Sequence, residues 1–573
     1  MHNVISKKAI KARCLRIPGC CRWLRVAAVA VAWAWVVPYA APAVAAPAKS
    51  VGKAAADDAG WSALGDRIRA CMGREDPACL LAAHEDLKKV APMGSVSLPF
   101  VAGVAAFLAG RHAQAKTELT QVAGNPTAPR ELREQAESWI ELSDATVAVL
   151  QGAKAYPLAG GKVVAWVRPG PDEVLVGYLD RVIAKALPKL EAAFGPATGV
   201  IALHVYSQAA ELARTSGLTE AQIRTSGTIA LCKYNRVMLT SPQDLVFGYP
   251  WADTAVHELV HWFIIKRGGA DVPIWLHEGL ARGLQGLWRG ANPEALDRDE
   301  RHIAAWSRKQ KKFIPFARMH PTMAALPSQR DTQLAFAEVH HAVAWLLQRA
   351  AARQGRAVDA GAGAGQLVAL FAQGMDTTQA LQAAVGLGLP AFEAAWKQQW
   401  ARLDVGDTSA GPPGRPLLVF RRGNDPGDLR PLPPATRRHA ELGDRFAVLK
   451  RPLAAAIEYR KAIAAGPQEG PLLVARLVRV LLDLGKTAEA AEYLVPALDQ
   501  YPEHAPLHVL AGRAAIARSQ WKTAIEALEQ AAWLNPYDPQ LHALAAQAHT
   551  SAGQQGEAAA ARGRQALVEA AGL

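Results

Sequence analysis

The residues best suited to chemistry lie in one short run, His257-Glu258-Leu259-Val260-His261. On a helix, side chains four residues apart share a face, so both imidazoles could reach one zinc ion at ~2.0–2.1 Å. Glu258 lies beside the first histidine and could take a proton from a metal-bound water. The neighbouring residues are almost all apolar, and three ionisable groups inside such a buried helix are costly unless they are paired or bind a metal. The spacing therefore predicts a zinc site with Glu258 as general base.

A catalytic zinc site needs a third protein ligand and one open position. Glu278 follows in a second apolar run after a Gly268-Gly269 turn, and two antiparallel helices could bring it opposite the histidines. His277 is the alternative ligand, about 100° away around the same helix. We favour Glu278, because it is flanked by small residues that would let two helices approach closely, Gly279 and Ala281.

Three runs of sequence surround these residues: SGTIALCKYNRVMLTSP at 226–242, GYPWADTAVHELVHWFI at 248–264 and PIWLHEGLA at 273–281. Together they resemble the peptidase MA family of bacterial metallohydrolases, which are gluzincins, over about residues 160–403. The resemblance implies a zincin-type fold and an enzyme that hydrolyses peptide bonds. It also implies one zinc ion per chain, held by His257, His261 and Glu278, with Glu258 as general base.

Further candidates lie on both sides of this motif. Asp253, one turn before His257, could orient the imidazole ring, or it could be an acid that favours the helix N-terminus. Members of the family often carry a Tyr where this chain has Phe336, and a hydroxyl there could stabilise an oxyanion. Phe336 cannot supply one. The nearby candidates for that role are two histidines, for each of which a structural role is the alternative: His340 and His341.

The residues before the motif indicate a small sheet. Lys162–Val167, Val200–Tyr206 and Thr228–Leu239 are β-branched or apolar runs bounded by turn residues, and they predict three strands. A helical pattern over 173–194 separates the first two strands. Helices dominate from Trp251 onwards. The region 160–403 is therefore predicted to be an α+β zincin-type catalytic domain.

The C-terminal quarter shows an internal repeat. Ala456, Ala490, Ala524 and Ala558 recur at intervals of 34 residues, as small residues would where two helices of a hairpin pack closely. This pattern resembles the tetratricopeptide repeat, with about four units over 437–573. The resemblance implies an all-α solenoid with a groove for a protein or peptide.

Two other regions complete the domain prediction. Residues 56–153 have a helical pattern and contain one possible hairpin of the repeat kind, between Leu108 and Leu119. Residues 404–436 include a stretch rich in Pro and Gly, which predicts a linker with few contacts across it. The chain is thus expected to place helical regions on both sides of the catalytic domain.

The N-terminus predicts export. A basic stretch, the apolar run Val26–Val37 and a small-residue pattern near Ala45 are typical of a signal peptide over 1–45, with a membrane anchor as the alternative. No later apolar segment has the length of a membrane span. The net charge of +13 includes seven basic residues of this segment, which leaves +6 elsewhere and no dense basic run, so nucleic acid is not indicated as a partner.

In the mature chain, Cys71 and Cys79 could form a disulfide or remain buried thiols, and Cys232 fits a core position. The sequence as a whole predicts an exported, periplasmic or secreted, zinc metallopeptidase whose repeats recruit a protein substrate or partner. The alternative is a periplasmic scaffold that binds zinc without turnover and acts through its repeats.

Overall fold

The structure is a computed structural model that describes residues 54–408, 417–421, 429, 432–466 and 470–572. The predicted signal peptide, 1–45, lies outside the described residues, as does much of the predicted linker. Within the described ranges, none of the helices combines the length and the apolar character that a membrane span requires.

The described N-terminal region is helical: α1 (Ala54–Gly73), α2 (Pro77–Val90), α3 (Ser97–Leu108), α4 (His112–Ala123) and α5 (Arg130–Val149). Helices α3 and α4 form the hairpin that the sequence suggests, and they pack so closely that a Cβ at Gly103 would lie 2.5 Å from Leu119 Cγ. Cys71 and Cys79 form a disulfide between α1 and α2. Cys232 is half-buried against the core of the next region, as the sequence suggested.

A five-stranded sheet follows, in the order β1-β2-β3-β5-β4. The inner strands β2, β3 and β5 are parallel, and each outer strand is antiparallel to its neighbour. Helix α6 (Val174–Phe194) connects β2 to β3 and packs on the sheet. The strands are β1 (Lys154–Leu158), β2 (Val163–Val167), β3 (Ile201–Tyr206), β4 (Ala230–Lys233) and β5 (Arg236–Thr240).

The predicted third strand, Thr228–Leu239, is in fact a hairpin of β4 and β5. Its two turn residues, Tyr234 and Asn235, have φ values of 62° and 60°, as a two-residue hairpin turn requires. The Glu75 carboxylate accepts hydrogen bonds from both turn amides, and the Tyr234 ring packs on Phe107. The N-terminal helices therefore stabilise a turn that has no glycine to mark it. The short edge strand β1 was also absent from the sequence prediction.

Helices cover the sheet and extend beyond it: α7 (Ala209–Ser216), α8 (Glu220–Ser226), α9 (Trp251–Gly268), α10 (Ile274–Leu284), α11 (Arg298–Lys309), α12 (Gln329–Arg353), α13 (Ala360–Ala372), α14 (Thr377–Val385) and α15 (Leu389–Arg402). Helix α9 packs on β4, β5 and α10, while α10 packs on α12. A Cβ at Gly279 would lie 2.4 Å from Val343 Cγ2 of α12. The small residue beside Glu278 thus permits a close helix contact, with α12 as the partner.

Eight further helices form four hairpins in the described C-terminal ranges: α16 (Pro434–Val448), α17 (Pro452–Ala465), α18 (Gly470–Asp483), α19 (Thr487–Gln500), α20 (Ala505–Ile516), α21 (Trp521–Ala532), α22 (Pro539–Ser551) and α23 (Gln555–Ala570). The second helices of the hairpins begin at Pro452, Thr487, Trp521 and Gln555, so the first interval is 35 residues and the next two are 34. Ala455, and not Ala456, is therefore the equivalent of Ala490. Both alanines are buried. The sequence alone favours Ala456 because that residue keeps the exact 34-residue spacing.

The last two repeats contact the sheet region directly, contrary to the expectation of few contacts across the linker. Trp251 donates its indole N–H to the Ala532 carbonyl at 3.0 Å, and the Tyr249 amide donates to the Leu534 carbonyl at 3.0 Å. The Tyr537 hydroxyl donates to the buried Asp172 carboxylate at 2.6 Å. We call this contact the repeat interface. Its residues belong to the same hydrophobic cluster as the sheet.

Trp533 is the repeat residue that packs among the aromatic rings of the repeat interface. Its indole lies 5.2 Å from the Tyr178 ring, 6.0 Å from that of Trp251 and 5.1 Å from that of Trp288, measured between centroids. Trp251 is the first residue of α9, the helix that carries the zinc-site motif. The repeats therefore pack against the beginning of that helix.

We expect Trp533→Ala to lower the free energy of unfolding of the full chain by about 3 kcal/mol, because it leaves a cavity between three aromatic rings. Thermal and denaturant unfolding would measure the loss. Trp521→Ala, at the other end of α21, is the matched control and should cost less than about 1 kcal/mol. Equal effects of the two substitutions would contradict a stabilising repeat interface.

Candidate metal centre

Helix α9 carries the first two candidate ligands and the candidate base. It is apolar on nearly all sides and packs on the sheet and on α6, α10 and α13, so His257, Glu258 and His261 are all buried with it. It ends at Gly268, and the φ of 74° at the following Gly269 turns the chain back toward α10. The turn therefore returns α10 alongside α9, which brings Glu278 to the histidines.

The three candidate ligands converge. The Nε2 atoms of His257 and His261 lie 3.1 Å apart, and Glu278 Oε2 lies 3.1 Å from the first and 3.3 Å from the second. Ligand atoms at ~2.0–2.1 Å from one tetrahedral zinc are separated by about 3.3 Å. The donor set and its spacing therefore fit a zinc ion. Among the described residues, these three are the His, Cys, Asp or Glu side chains whose ligand atoms lie close enough together to hold one metal ion.

The remaining ring nitrogens of both histidines have partners on α10 or at its C-cap, Gln285. The Nδ1 atom of His257 lies 3.2 Å from Gln285 Oε1, and the Nδ1 atom of His261 lies 3.3 Å from Nδ1 of His277. An amide oxygen accepts from Nδ1–H, so Gln285 fixes the tautomer of His257 that leaves the Nε2 lone pair free for a metal. His277 thus lies behind His261, whereas the Glu278 carboxylate faces the Nε2 atoms of both histidines.

Gln285 is a site residue that the sequence prediction missed. It lies seven residues after Glu278, which is about two helical turns and places both on one face of α10. That spacing was available in the sequence. A glutamine, however, is not a residue type that by itself suggests a metal site.

Asp253 is engaged elsewhere. Its carboxylate accepts from the Trp288 indole at 2.8 Å and forms an ion pair with Arg289 at 2.8 Å. The nitrogen of His257 that it was thought to orient is bound to Gln285. Of the two interpretations, an acid in the first turn of α9 agrees with the contacts, and it also connects α9 to Trp288 at the repeat interface.

The two histidines of α12 have structural partners. His340 contacts the Glu300 carboxylate through Nδ1 at 3.1 Å and the Pro293 carbonyl through Nε2 at 2.9 Å. His341 accepts the Trp396 indole N–H at 2.9 Å. These contacts agree with the structural role that was the alternative for each histidine. Phe336 does lie at the site, with its ring 5.9 Å from that of His257.

The two carboxyl groups of the site have opposite electrostatic environments. Burial raises the pKa of the Glu258 carboxyl to about 8, against the opposing effects of His261 and of the Cys232 backbone amide. Burial acts on Glu278 in the same direction, but His261 and His257 together hold its pKa well below the usual range. Glu278 is thus an anion suited to ligation, and Glu258 is suited to accept and release a proton.

The comparisons with known proteins concern the repeats. Residues 481–548 match the tetratricopeptide repeat family. This segment consists of tetratricopeptide repeats. Such repeats form extended binding surfaces for proteins, so the segment implies a protein partner. No curated protein sequence matches the chain.

Two solved structures are also similar to the chain. One is TTC0263, a tetratricopeptide-repeat protein of Thermus thermophilus, at 22% identity and a TM-score of 0.23, over 24% of this chain and 75% of that one. The other is the Cut9–Hcn1 hetero-tetramer of the APC/C, at 14% identity and a TM-score of 0.22, over 88% of this chain and 80% of that one.

We expect Gln285→Leu to weaken zinc binding by about 10- to 100-fold, because the substitution removes the acceptor that fixes His257. Competition with a chelating dye would measure the dissociation constant. Gln348→Leu, at an exposed position of α12, is the control and should leave zinc affinity unchanged. An unaltered affinity in Gln285→Leu would show that the hydrogen bond does not position the ligand.

Proposed function

We propose that residues 160–403 form an exported zinc metallopeptidase of the gluzincin type, similar to the peptidase MA family. Zinc would be held by His257, His261 and Glu278. The observation that carries the proposal is the convergence of their three ligand atoms at 3.1–3.3 Å, beside a buried carboxyl group on the same helix. The disulfide between Cys71 and Cys79 supports export, since disulfides persist in oxidising compartments.

A bound zinc ion would act as a Lewis acid that polarises a peptide carbonyl and lowers the pKa of a water molecule. The Glu258 carboxylate takes a proton from the attacking water and returns it to the leaving amine nitrogen. Its raised pKa suits both steps, because the group must hold the proton between them.

Phe336 sets a limit on the rate. Its ring covers one side of His257 and helps to exclude water, but it offers no hydrogen bond to a developing oxyanion. Loss of one such donor typically costs 10²–10³ in turnover. We therefore expect a slow peptidase.

The alternative function is a zinc-binding scaffold without turnover that acts through its repeats. Phe336 favours it, as does the match of 481–548 to the tetratricopeptide repeat. In either function the repeats bind a protein. In the enzyme that protein is a substrate or a recruiting partner.

The ligand assignment predicts one zinc ion per chain in the purified protein. His261→Ala or Glu278→Ala should lose most of it, because each removes one of three protein ligands. His277→Ala is the matched control and should retain the ion. Metal analysis by mass spectrometry measures the ratio. Full zinc content in Glu278→Ala would exclude Glu278 as a ligand.

Glu258→Gln separates the two functions. The substitution keeps size and hydrogen bonding but removes the base, so zinc content and stability should survive while cleavage of a peptide library disappears. If the wild-type protein and Glu258→Gln are equally inactive, and the variant still restores the phenotype of a deletion strain, the scaffold is the function.

A further inference from the structure

The first repeat ends in an exposed surface. Helix α16 and its C-cap present a stripe of four residues at helical spacing, Arg438, Leu442, Arg445 and Leu449. Leu442 and Leu449 are 37% and 62% exposed. We call these four residues the open end. Large exposed apolar side chains clustered in this way are characteristic of interaction surfaces.

The second repeat shows what the open end is shaped to contact. With the 35-residue first interval, the stripe on α16 corresponds to Leu473, Leu477, Val480 and Leu484 on α18. The first three of these are buried, and Leu484 is half-buried, because the first repeat covers them. The open end lacks a preceding repeat in the described residues. A helix is therefore the element that fits on it.

The charged residues at the open end indicate which kind of helix would bind there. Two of the buried aliphatic positions of α18 are arginines in α16, Arg438 and Arg445, and the turn to α17 adds Lys450 and Arg451. All four are exposed, and none has an ion pair within the described ranges. A partner helix with carboxylates beside its apolar stripe would pair with them. Two copies of this surface would instead repel each other.

The described residues just before α16 leave this surface accessible. Leu432, which enters α16, packs with Ala440, Ala462 and Leu473, and hence toward the second repeat. At the other end of the solenoid, Trp533 and Tyr537 fix the last repeats to the sheet region. The array is thus held at one end and exposed at the other.

We propose that the open end binds an acidic amphipathic helix of a partner protein. Leucine or isoleucine side chains of that helix pack on Leu442 and Leu449, and its carboxylates pair with Arg438 and Arg445. This site is separate from the metal centre and does not depend on the proposed peptidase activity.

The test uses the full chain and two synthetic 20-residue helical peptides with the same leucine stripe, one flanked by glutamates and one by lysines. Fluorescence anisotropy should show binding of the glutamate peptide, weakened by added salt, and no binding of the lysine peptide. The variant R438E/R445E should bind the glutamate peptide at least tenfold more weakly and gain affinity for the lysine peptide. R356E/K522E, at exposed positions elsewhere, is the matched control and should resemble the wild type.

A second variant tests the apolar contacts. Leu442→Asp with Leu449→Asp should abolish binding of the glutamate peptide, and the melting temperature should remain close to wild type because both side chains are exposed. Binding of neither peptide by the wild type, or equal binding of both, overturns the proposal. So does a wild-type dimer in sedimentation that the aspartate variant abolishes, since a second copy would then be the occupant.

Discussion

The desolvation of three ionisable side chains on one apolar helix constrains the rest of the middle region. Helix α9 places His257, Glu258 and His261 where water cannot solvate them, and each uncompensated charge there would cost several kcal/mol. The compensation comes from α10, which brings the Glu278 carboxylate to both imidazoles. Helix α10 can do so only because Gly279 lets it lie against α12. One electrostatic requirement thus determines the packing of three helices.

The same requirement explains why α9 is supported from several directions. Its first residue, Trp251, is bound by the repeats, and its first acid, Asp253, is held by Trp288 and Arg289. On the sheet side, α9 packs on the edge strand β4. The turn after that strand is held in turn by Glu75 of the N-terminal region. All three regions of the described chain therefore contribute to the position of one helix.

The spacing of residues in the sequence was enough to predict part of the candidate metal site. His257 and His261 are four residues apart on one helix, and Glu278 lies on the next, so the sequence was enough to propose the set. The partners of His340 and His341 were not predictable, because Glu300 and Trp396 are distant in the chain. The β4–β5 turn was missed since a Tyr-Asn pair carries no glycine, and its conformation depends on a distant carboxylate. The repeat interface was missed because Trp533 and Tyr537 look like ordinary repeat residues until the contacting surface is known.

The longer first interval of the repeats has a consequence for how this solenoid is recognised. One added residue rotates a helix by about 100° relative to a fixed template. A strict 34-residue register would place His439, Gly443, Phe446 and Lys450 at the positions that Arg438, Leu442, Arg445 and Leu449 occupy. A profile aligned in that register would report a mixed, unremarkable helix and conceal its alternation of arginine and leucine. Designed extensions of the array, and comparisons across related chains, therefore need the helix register of the structure, with its 35-residue first interval, and not a strict 34-residue register.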